Sequence, residues 1–402
     1  MRTNPSPCNE PPHLLSSPLR PSGRLLTLTM LTALAAGCVV EEEDQPLETE
    51  IERDGEVFDL VGPVVEQEVE PGPDAVLMPR RAFTEEPGEV IPLDAWSREE
   101  LADMLRPVIA TGNDTLYVAR EPAWEAADAV LSGSKESLSY DVLDREGEGR
   151  PSVEPDMVMR QVIGPDGRTR VFDTTVAPYN AIVKLQLYTG NTYRGWCSGS
   201  YIGPWTVITS AHCLVFSDTD RVNRIVFQPA RNGGTLPYGS FDCRLDDASS
   251  TNDYLWSVPA GYYTGQQDSL DYAVMDTFPC HSAPNWFGGY QANAANSTFA
   301  TYGYPSDTCP GAPGSGNYMC GMSGASEIND WRIESQNIDS VSGQSGSPWY
   351  RMYDINRPVG VLWGYREYFD LFKCGFDVCR RNFARRIDTA FSNFIVSVAW
   401  DY

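Results

Sequence analysis

The pattern that most constrains the fold is a series of short apolar runs separated by Gly, Pro, Asn and Asp, which begins near Val162. Clear examples cover residues 181–187, 206–209 and 359–363. Strands of this length at close spacing predict an all-β sandwich or barrel. The last stretch, residues 385–400, has apolar residues at helical intervals instead, and it predicts a closing helix.

Charge and cysteine divide the 402-residue chain into three parts. Residues 38–161 carry 32 acidic and 10 basic side chains, residues 162–402 carry 22 and 17, and eight of the ten cysteines lie from Cys197 onward. We therefore expect a leader (1–38), an acidic segment (39–161) and a cysteine-bearing globular domain. The net charge of −25 argues against nucleic acid as the main partner, because a polyanion would be repelled.

The leader has the features of an export signal. Arg20 and Arg24 precede an apolar run, Leu25–Ala36, which is shorter than the roughly 20 residues that cross a bilayer core. The string Leu-Ala-Ala-Gly before Cys38 resembles a bacterial lipobox, so we expect lipidation of Cys38 and membrane attachment. The alternative is an ordinary signal peptide with a cysteine nearby. Both place a bacterial protein outside the cytoplasm, secreted or at the outer cell envelope.

An even set of eight cysteines in an exported chain predicts four disulfides. Cys309 with Cys320, and Cys374 with Cys379, are close enough in sequence to bridge locally. Spacing leaves the other four cysteines unassigned at this point.

The acidic segment combines a charged beginning with one helix signal. Glu41–Asp44 is typical of a solvated tether. Further along, Ser97 and Glu100 form the pattern of a capping box, followed by Leu101, Met104 and Leu105 at helical spacing. Part of the segment is therefore expected to fold, and the rest to be disordered. It is either a pro-segment that assists folding or blocks a site, or a spacer.

The chain has only three histidines, His13, His212 and His281. His13 lies in the leader, whereas His212 stands in the string TSAHC directly after an apolar strand. Histidine is the side chain that titrates near neutral pH without perturbation, as a general base must. A lone histidine is usually structural, so the interpretation of His212 depends on its companions.

A candidate nucleophile is Ser345, in the string GQSGSP. A nucleophilic serine needs a tight turn with backbone N–H groups free to hold an oxyanion. Gly343 permits the unusual backbone angles and the close approach that such a turn requires. A Gly/Ser-rich string by itself is usually a loop, but here Pro348 and an apolar strand follow it.

A candidate acid is Asp271, in the string SLDYAVM. An acid beside a strand can hold an imidazole in one tautomer and stabilise its charged form. Such an acid is more often a solvated turn residue. Asp268 and Asp276 are the alternatives, but neither is followed by the apolar Tyr-Ala-Val pattern.

The order His212, Asp271, Ser345 and the strings TSAHC, LDYAVM and GQSGSP resemble the chymotrypsin-like serine proteases. Residues 162–185 and Gln344, where trypsin-like zymogens carry Asp, are similar to the bacterial secreted glutamyl endopeptidase branch. The resemblance extends from about Val162 to the C-terminus.

This resemblance implies two six-stranded β-barrels with the site in the cleft between them. Ser345 would attack a peptide carbonyl, His212 would take and return its proton, and Asp271 would orient His212. The N–H groups of Gly343 and Ser345 would form the oxyanion hole. The resemblance implies a protein or peptide as substrate and no metal or organic cofactor, and we expect a monomer.

The resemblance also implies a disulfide between Cys197 and Cys213, which closes the loop that carries His212. With that pair assigned, elimination leaves Cys243 with Cys280.

Two departures from the pattern concern specificity. Glutamyl-specific relatives have a histidine before the Trp-Gly of the specificity pocket, where this chain has Leu362 before Trp363 and Gly364. An apolar side chain gives a glutamate carboxylate no donor, which argues against glutamate specificity. Asp339 lies six residues before Ser345, where trypsin-like enzymes hold the acid that binds Arg or Lys. Asp339 is either that specificity acid or an acid satisfied by local backbone N–H groups.

Gln344 also bears on maturation. The acid that would pair with a new N-terminus in trypsin-type activation is missing, so we do not expect that switch. We expect cleavage near Arg160 or Gln161, which favours a pro-segment over a spacer. The sequence thus predicts a secreted serine endopeptidase made as a zymogen; the alternatives are a protease-fold binding module and an envelope scaffold lipoprotein with little activity.

Overall fold

The computed structural model describes residues 50–53, 56–63, 82–83, 93–111, 115–132, 139–140, 166–216, 221–245, 254–369 and 378–399. The leader with Cys38, the tether Glu41–Asp44, the expected cleavage region at Arg160–Gln161 and the side chains of Cys374 and Cys379 lie outside these residues. Within them, no helix is long and apolar enough to cross a membrane.

Strands predominate in the described residues. The strands are β1 Glu50–Arg53, β2 Glu56–Pro63, β3 Ala82–Phe83, β4 Pro107–Thr111, β5 Thr115–Ala119, β6 Ser139–Tyr140, β7 Thr169–Arg170, β8 Ile182–Thr189, β9 Thr192–Tyr201, β10 Thr206–Thr209, β11 Arg224–Pro229, β12 Phe241–Arg244, β13 Tyr254–Pro259, β14 Ala273–Asp276, β15 Tyr290–Gln291, β16 Ser297–Gly303, β17 Cys320–Asn329, β18 Arg332–Ser335, β19 Pro348–Arg351, β20 Asp354–Phe369 and β21 Val378–Arg386. The α-helices are α1 Arg98–Met104, α2 Trp124–Leu131, α3 Ala260–Gly265 and α4 Thr389–Val398, and the 3₁₀ turns are Leu93–Ala95, Tyr179–Ala181, Ala211–Cys213 and Asp268–Leu270.

The second half of the globular domain is a closed barrel. Its strands follow the order β16-β19-β20-β21-β18-β17, and β17 pairs back with β16, so six antiparallel strands form a ring. Closure leaves these strands no free edge. Strand β7 pairs with β17 outside the ring, and β3 of the acidic segment runs parallel to β20 at Tyr365 and Arg366.

The first half is an antiparallel sheet that continues into the acidic segment. Its order is β12-β11-β8-β9-β10-β14-β13-β4-β5-β2-β1. Strand β10 is central and has every residue buried, which explains why its sequence reads as a continuous apolar run rather than an alternating one. The predicted all-β class is confirmed by these two sheets.

The acidic segment is folded over a larger part of its length than its one helix signal indicates. Strand β4 pairs with β13 of the globular domain over Pro107–Thr111, and the Ser257 hydroxyl donates to the Val108 carbonyl at 3.0 Å. Leu101 and Tyr117 are fully buried in the same core as the globular domain. The apolar residues of β4 and β5 are buried with β13 beside β4, a pairing that composition alone does not reveal.

The capping box of α1 is confirmed. The Glu100 N–H donates to the Ser97 hydroxyl at 3.2 Å, and the Ser97 N–H donates to the Glu100 carboxylate at 3.0 Å. The helix buries Leu101 and Ala102, as the spacing of the apolar residues predicts. The contact with Ser97 lowers the pKa of Glu100, because the hydrogen bonds favour its charged form.

The predicted closing helix is present as α4. Asp388 caps it by accepting from the Phe391 N–H at 3.0 Å. On its buried face, the ring of Phe391 stacks on Tyr272 at 4.2 Å between centroids, and Phe394 meets the same ring edge-on at 5.3 Å. The helix therefore covers the residue that directly follows Asp271.

Three of the expected disulfides are present among the described residues. They join Cys197 to Cys213, Cys243 to Cys280 and Cys309 to Cys320. The first ties β9 to the turn that carries His212, as the resemblance implies. A bridge that closes 16 residues stabilises a chain by about 3 kcal/mol in the loop-entropy account.

Candidate active site

His212 and Asp271 meet because of the pairing of two strands. In β10 and β14, Thr209 lies opposite Ala273, so the turn after β10 and the residue before β14 lie at the same edge of the sheet. There the His212 Nδ1–H donates to Asp271 Oδ2 at 2.7 Å. The His212 backbone N–H donates to Asp271 Oδ1 at 2.9 Å, so both carboxylate oxygens hold the same residue.

The structure distinguishes Asp271 from its two alternatives. Asp271 is completely buried, so its carboxylate has no solvent to stabilise it and depends on the two donors of His212. Asp276, at the far end of β14, accepts from the Phe278 N–H at 2.9 Å in a turn. Asp268 begins the 3₁₀ turn that precedes Asp271.

The second imidazole nitrogen is in the state that a general base requires. With Nδ1 donating to a carboxylate, neutral His212 carries its lone pair on Nε2. Among the described residues, no group makes a hydrogen bond to this buried nitrogen. The link between Nε2 and the Ser345 hydroxyl is therefore not formed in this structure; such bonds are often long before substrate binds.

Ser345 stands on a tight turn between two glycines with positive φ. Gly343 has φ +84° and Gly346 has φ +79°. A Cβ atom would come within 2.0 Å of Thr209 Oγ1 at Gly346, and within 2.4 Å of Trp196 Nε1 at Gly343. Only glycine satisfies both the angle and the space.

The turn is held by backbone and hydroxyl contacts from both halves of the domain. The Ser345 carbonyl accepts from the Ser198 N–H at 2.8 Å, and the Gly343 carbonyl accepts from the Ser198 hydroxyl at 2.9 Å. The same hydroxyl accepts from the Tyr304 N–H at 2.9 Å. Sequence reasoning missed Ser198; its place beside Cys197, which is bonded to the histidine turn through Cys213, was the available signal.

One carbonyl joins the serine turn to the histidine turn. The Leu362 carbonyl accepts from the Gly346 N–H at 2.8 Å and from the Ser210 hydroxyl at 2.8 Å. Gly346 follows Ser345 directly, and Ser210 lies two residues before His212. The side chain of Ser210, within the motif TSAHC, was also missed from sequence.

The oxyanion donors expected from sequence are free for such a role. The N–H groups of Gln344 and Ser347 donate within the turn, and that of Gly346 donates to the Leu362 carbonyl. Within the part of the chain that the structure describes, the N–H groups of Gly343 and Ser345 donate to no protein acceptor. Two unpaired N–H groups, one residue apart on a glycine turn, suit a developing negative charge.

The four candidates for the specificity pocket occupy different environments. Asp339 is half-buried, and its Oδ2 accepts from the Gly167 N–H at 3.3 Å, a residue far away in sequence rather than a local one. The Leu362 side chain packs in the barrel core. Trp363 is fully buried against Trp331 in an edge-on contact at 5.3 Å, and Gly364 is buried beside it.

Two groups of cysteine and histidine side chains are close enough together to resemble metal sites. They are Cys197, His212, Cys213 and Cys243, Cys280, His281. In both groups the two cysteines are bonded to each other, so their sulfurs are not thiolates that could bind a metal ion.

No protein-family model matches the chain. The glutamyl endopeptidase of Bacillus licheniformis is 32% identical over 194 residues, which cover 47% of this chain and 54% of that protein. An extracellular metalloprotease of Bacillus subtilis is 28% identical over 198 residues, which cover 48% and 58%. The matches thus span only a little over half the length of these relatives.

Among solved structures, a Glu endopeptidase is 24% identical, with a TM-score of 0.44 over 59% of this chain and 98% of that one. Protease Anisep from Arthrobacter nicotinovorans is 19% identical, with a TM-score of 0.43 over 58% and 99%. The similarity in sequence to a bacterial glutamyl endopeptidase agrees with the pairing of His212 and Asp271, the arrangement that the resemblance to chymotrypsin-like serine proteases implies.

Proposed function

We propose that this protein is a secreted bacterial serine endopeptidase that hydrolyses protein or peptide substrates. The observation that carries the proposal is the joining of two turns: the His212 turn with its buried Asp271, and the Ser345 turn, both anchored on the Leu362 carbonyl. A binding module or scaffold would have no need for a buried imidazole nitrogen without a partner, on a turn that shares an anchor with the serine turn.

The proposed mechanism assigns each group one task. The Ser345 hydroxyl attacks the peptide carbonyl while His212 Nε2 takes its proton, and Asp271 holds the imidazole and stabilises its charge. The N–H groups of Gly343 and Ser345 hold the oxyanion. His212 then protonates the leaving amine, and water releases the acyl group from Ser345 by the same route in reverse.

A serine-directed phosphonate tests this function. We expect the mature domain to be labelled at Ser345, and Ser345→Ala to be folded, unlabelled and slower in turnover by roughly 10⁴- to 10⁶-fold. Absence of labelling in the wild-type protein would favour the binding or scaffold alternative. An Ala variant as active as wild type would remove Ser345 from the role of nucleophile.

We propose that the enzyme does not select glutamate before the cut, because the histidine that binds it in relatives is absent. We also propose that Asp339 does not select a basic residue at that position. Leu362 gives no donor to a carboxylate, and it is packed in the barrel core. Asp339 is already engaged with the Gly167 N–H. A peptide library with every residue at the position before the cut measures the preference directly.

Attachment through a lipid on Cys38 remains part of the proposal. The supporting observation is the Leu-Ala-Ala-Gly-Cys string after an apolar run. In cells fed a labelled fatty acid, the wild-type protein should carry the label and Cys38→Ser should not. A wild-type protein found unlabelled in the medium would contradict lipidation and favour an ordinary signal peptide.

A further inference from the structure

The segment just after the expected cleavage region brings a buried cation to the serine turn. Arg168 is only 3% exposed. It makes paired hydrogen bonds to Asp166 at 2.9 and 2.9 Å, and to Asp307 at 2.9 and 2.7 Å. Its Nη1 also donates to Gln344 Oε1 at 3.5 Å.

The charge of Arg168 is permanent in this setting. Burial disfavours a charged guanidinium, but the hydrogen bonds that it donates to Asp166 and Asp307 outweigh this effect, so the pKa of Arg168 is raised. The carboxylates of Asp166 and Asp307 also balance the positive charge of Arg168, which burial separates from water. Arg168 is thus a fixed, charged donor, and the neutral amide of Gln344 can accept a hydrogen bond from it without any change in the charge of either group.

Gln344 is held at both ends of its amide. Its Oε1 accepts from the Val341 N–H at 3.1 Å as well as from Arg168, and its Nε2 donates to the Cys320 carbonyl at 3.1 Å. Gln344 is completely buried. Because it lies between Gly343 and Ser345, a side chain fixed in this way also fixes the peptide unit that supplies the Ser345 N–H.

The segment that carries Arg168 is itself anchored. Thr169 and Arg170 pair with Gly321 and Cys320 in β17. The Val171 N–H donates to the Met319 carbonyl at 2.9 Å. Arg168 is therefore held from its own backbone as well as from its two carboxylates.

We propose that Arg168 is a positioning residue for the oxyanion turn, acting through the side chain of Gln344. The inference rests on the proposed peptidase function. In trypsin-type enzymes an ammonium at a new N-terminus pairs with an acid at the position of Gln344. In this protein the contact between the Arg168 guanidinium and the Gln344 amide replaces that ion pair, so the oxyanion turn is held without a free N-terminus.

The test is the turnover per active site, titrated with a burst substrate, in Arg168→Met and in a matched control. We expect Arg168→Met to lower kcat per titrated site by roughly 10- to 100-fold with little change in KM, because a turn displaced by a fraction of an ångström stabilises the oxyanion less. The control is Arg224→Met, which removes a similar paired contact to Asp242 away from the turn and should keep wild-type kcat.

Gln344→Leu keeps the proposal testable if Arg168→Met fails to fold. It removes the acceptor and leaves the carboxylate pairs of Arg168, and we expect a similar loss of kcat. In the double variant the two losses should not multiply, because both act through one contact.

Two outcomes separate this inference from the function on which it rests. An unlabelled and inactive wild-type protein contradicts the proposed peptidase. An active wild-type protein whose Arg168→Met or Gln344→Leu variant keeps full kcat per titrated site contradicts the positioning role alone, even if the variant melts at a lower temperature.

Discussion

Two hydrogen bonds from one residue to one carboxylate define the chemistry of this site. His212 donates to Asp271 from its ring and from its backbone, which fixes the imidazole and the turn together. The backbone bond ties the turn to the same carboxylate that holds the ring. The free nitrogen Nε2 is left as the only base on this ring.

Asp271→Asn tests the pair at the residue scale. An amide can donate to Nδ1 and would then place the ring proton on Nε2, the wrong tautomer for a base. We expect kcat to fall by about 10⁴-fold at neutral pH. Steady-state kinetics measures the loss, and Asp276→Asn, which keeps an oxygen for the Phe278 N–H, should retain activity. Equal losses in both variants would contradict the assignment.

The role of Asp339 can also be tested with a single substitution. If it anchors Gly167 and does not bind substrate, Asp339→Ser should leave the order of cleavage after Arg, Glu and Phe unchanged in matched peptides. A specific loss of cleavage after Arg would instead identify it as the specificity acid. The comparison needs only relative rates, so a uniform loss of activity does not affect its interpretation.

Two elements support the acid from outside the catalytic strands. Helix α4 stacks Phe391 on Tyr272, next to Asp271. On another side, Met104 of α1 and Leu270 both lie against Gly261. A Cβ atom added to Gly261 would come within 2.9 Å of Met104 and 2.7 Å of Leu270. The acidic segment is thus part of the packing around the acid.

The pairing of β4 with β13 predicts the fate of the acidic segment after cleavage. Burial of the side chains of Leu101, Leu105, Val108 and Ile109 contributes on the order of 1.5–3 kcal/mol each. We therefore expect residues 93–132 to stay bound to the globular domain after cleavage near Arg160. Intact mass measured on a native chromatography peak should show both chains, which separate only in denaturant.

A substitution in the interface sharpens this prediction. Val108→Asp buries a charge opposite Val258 and should release the fragment, whereas Tyr353→Asp, at an exposed position between β19 and β20, should not. A wild-type fragment that elutes alone at micromolar concentration would show that β4 is a removable pro-segment.

At the scale of the whole molecule, one buried histidine links stability to pH. His281 lies where β9, β11 and β12 meet, with Tyr201 hydrogen-bonded to its Nε2 at 2.8 Å and Phe241 stacked on its ring at 4.3 Å. Burial lowers the pKa of His281 from 6.5 to about 4. Below pH 6.5 the unfolded chain binds a proton here that the folded chain does not bind until about pH 4.

The free energy of unfolding should therefore fall as the pH decreases from about 6.5 to about 4. The contribution of His281 is on the order of 2 kcal/mol between pH 7 and pH 4.5. In urea unfolding at the two pH values, His281→Gln should lose less stability than wild type, since the carboxylates that also titrate are the same in both. An identical pH dependence would contradict this role.

Most of the site could be predicted from sequence because its chemistry requires particular residues in short motifs. His212, Asp271 and Ser345 each stand in a string that constrains its own backbone, and the capping box of α1 is likewise a local pattern. Local patterns of this kind are readable because the interacting groups are a few residues apart.

The sequence by itself determined the all-β class, the closing helix, and the identity and order of the three residues that the proposed mechanism uses. Only the tertiary structure decided that Leu362 offers its carbonyl to two turns, that Arg168 reaches Gln344, and that β4 of the acidic segment joins the sheet of the globular domain. These contacts join residues from 16 to 176 positions apart or depend on strand pairing. No local pattern records them, because a carbonyl, an arginine or a short apolar run acquires its partner only when distant segments are brought together.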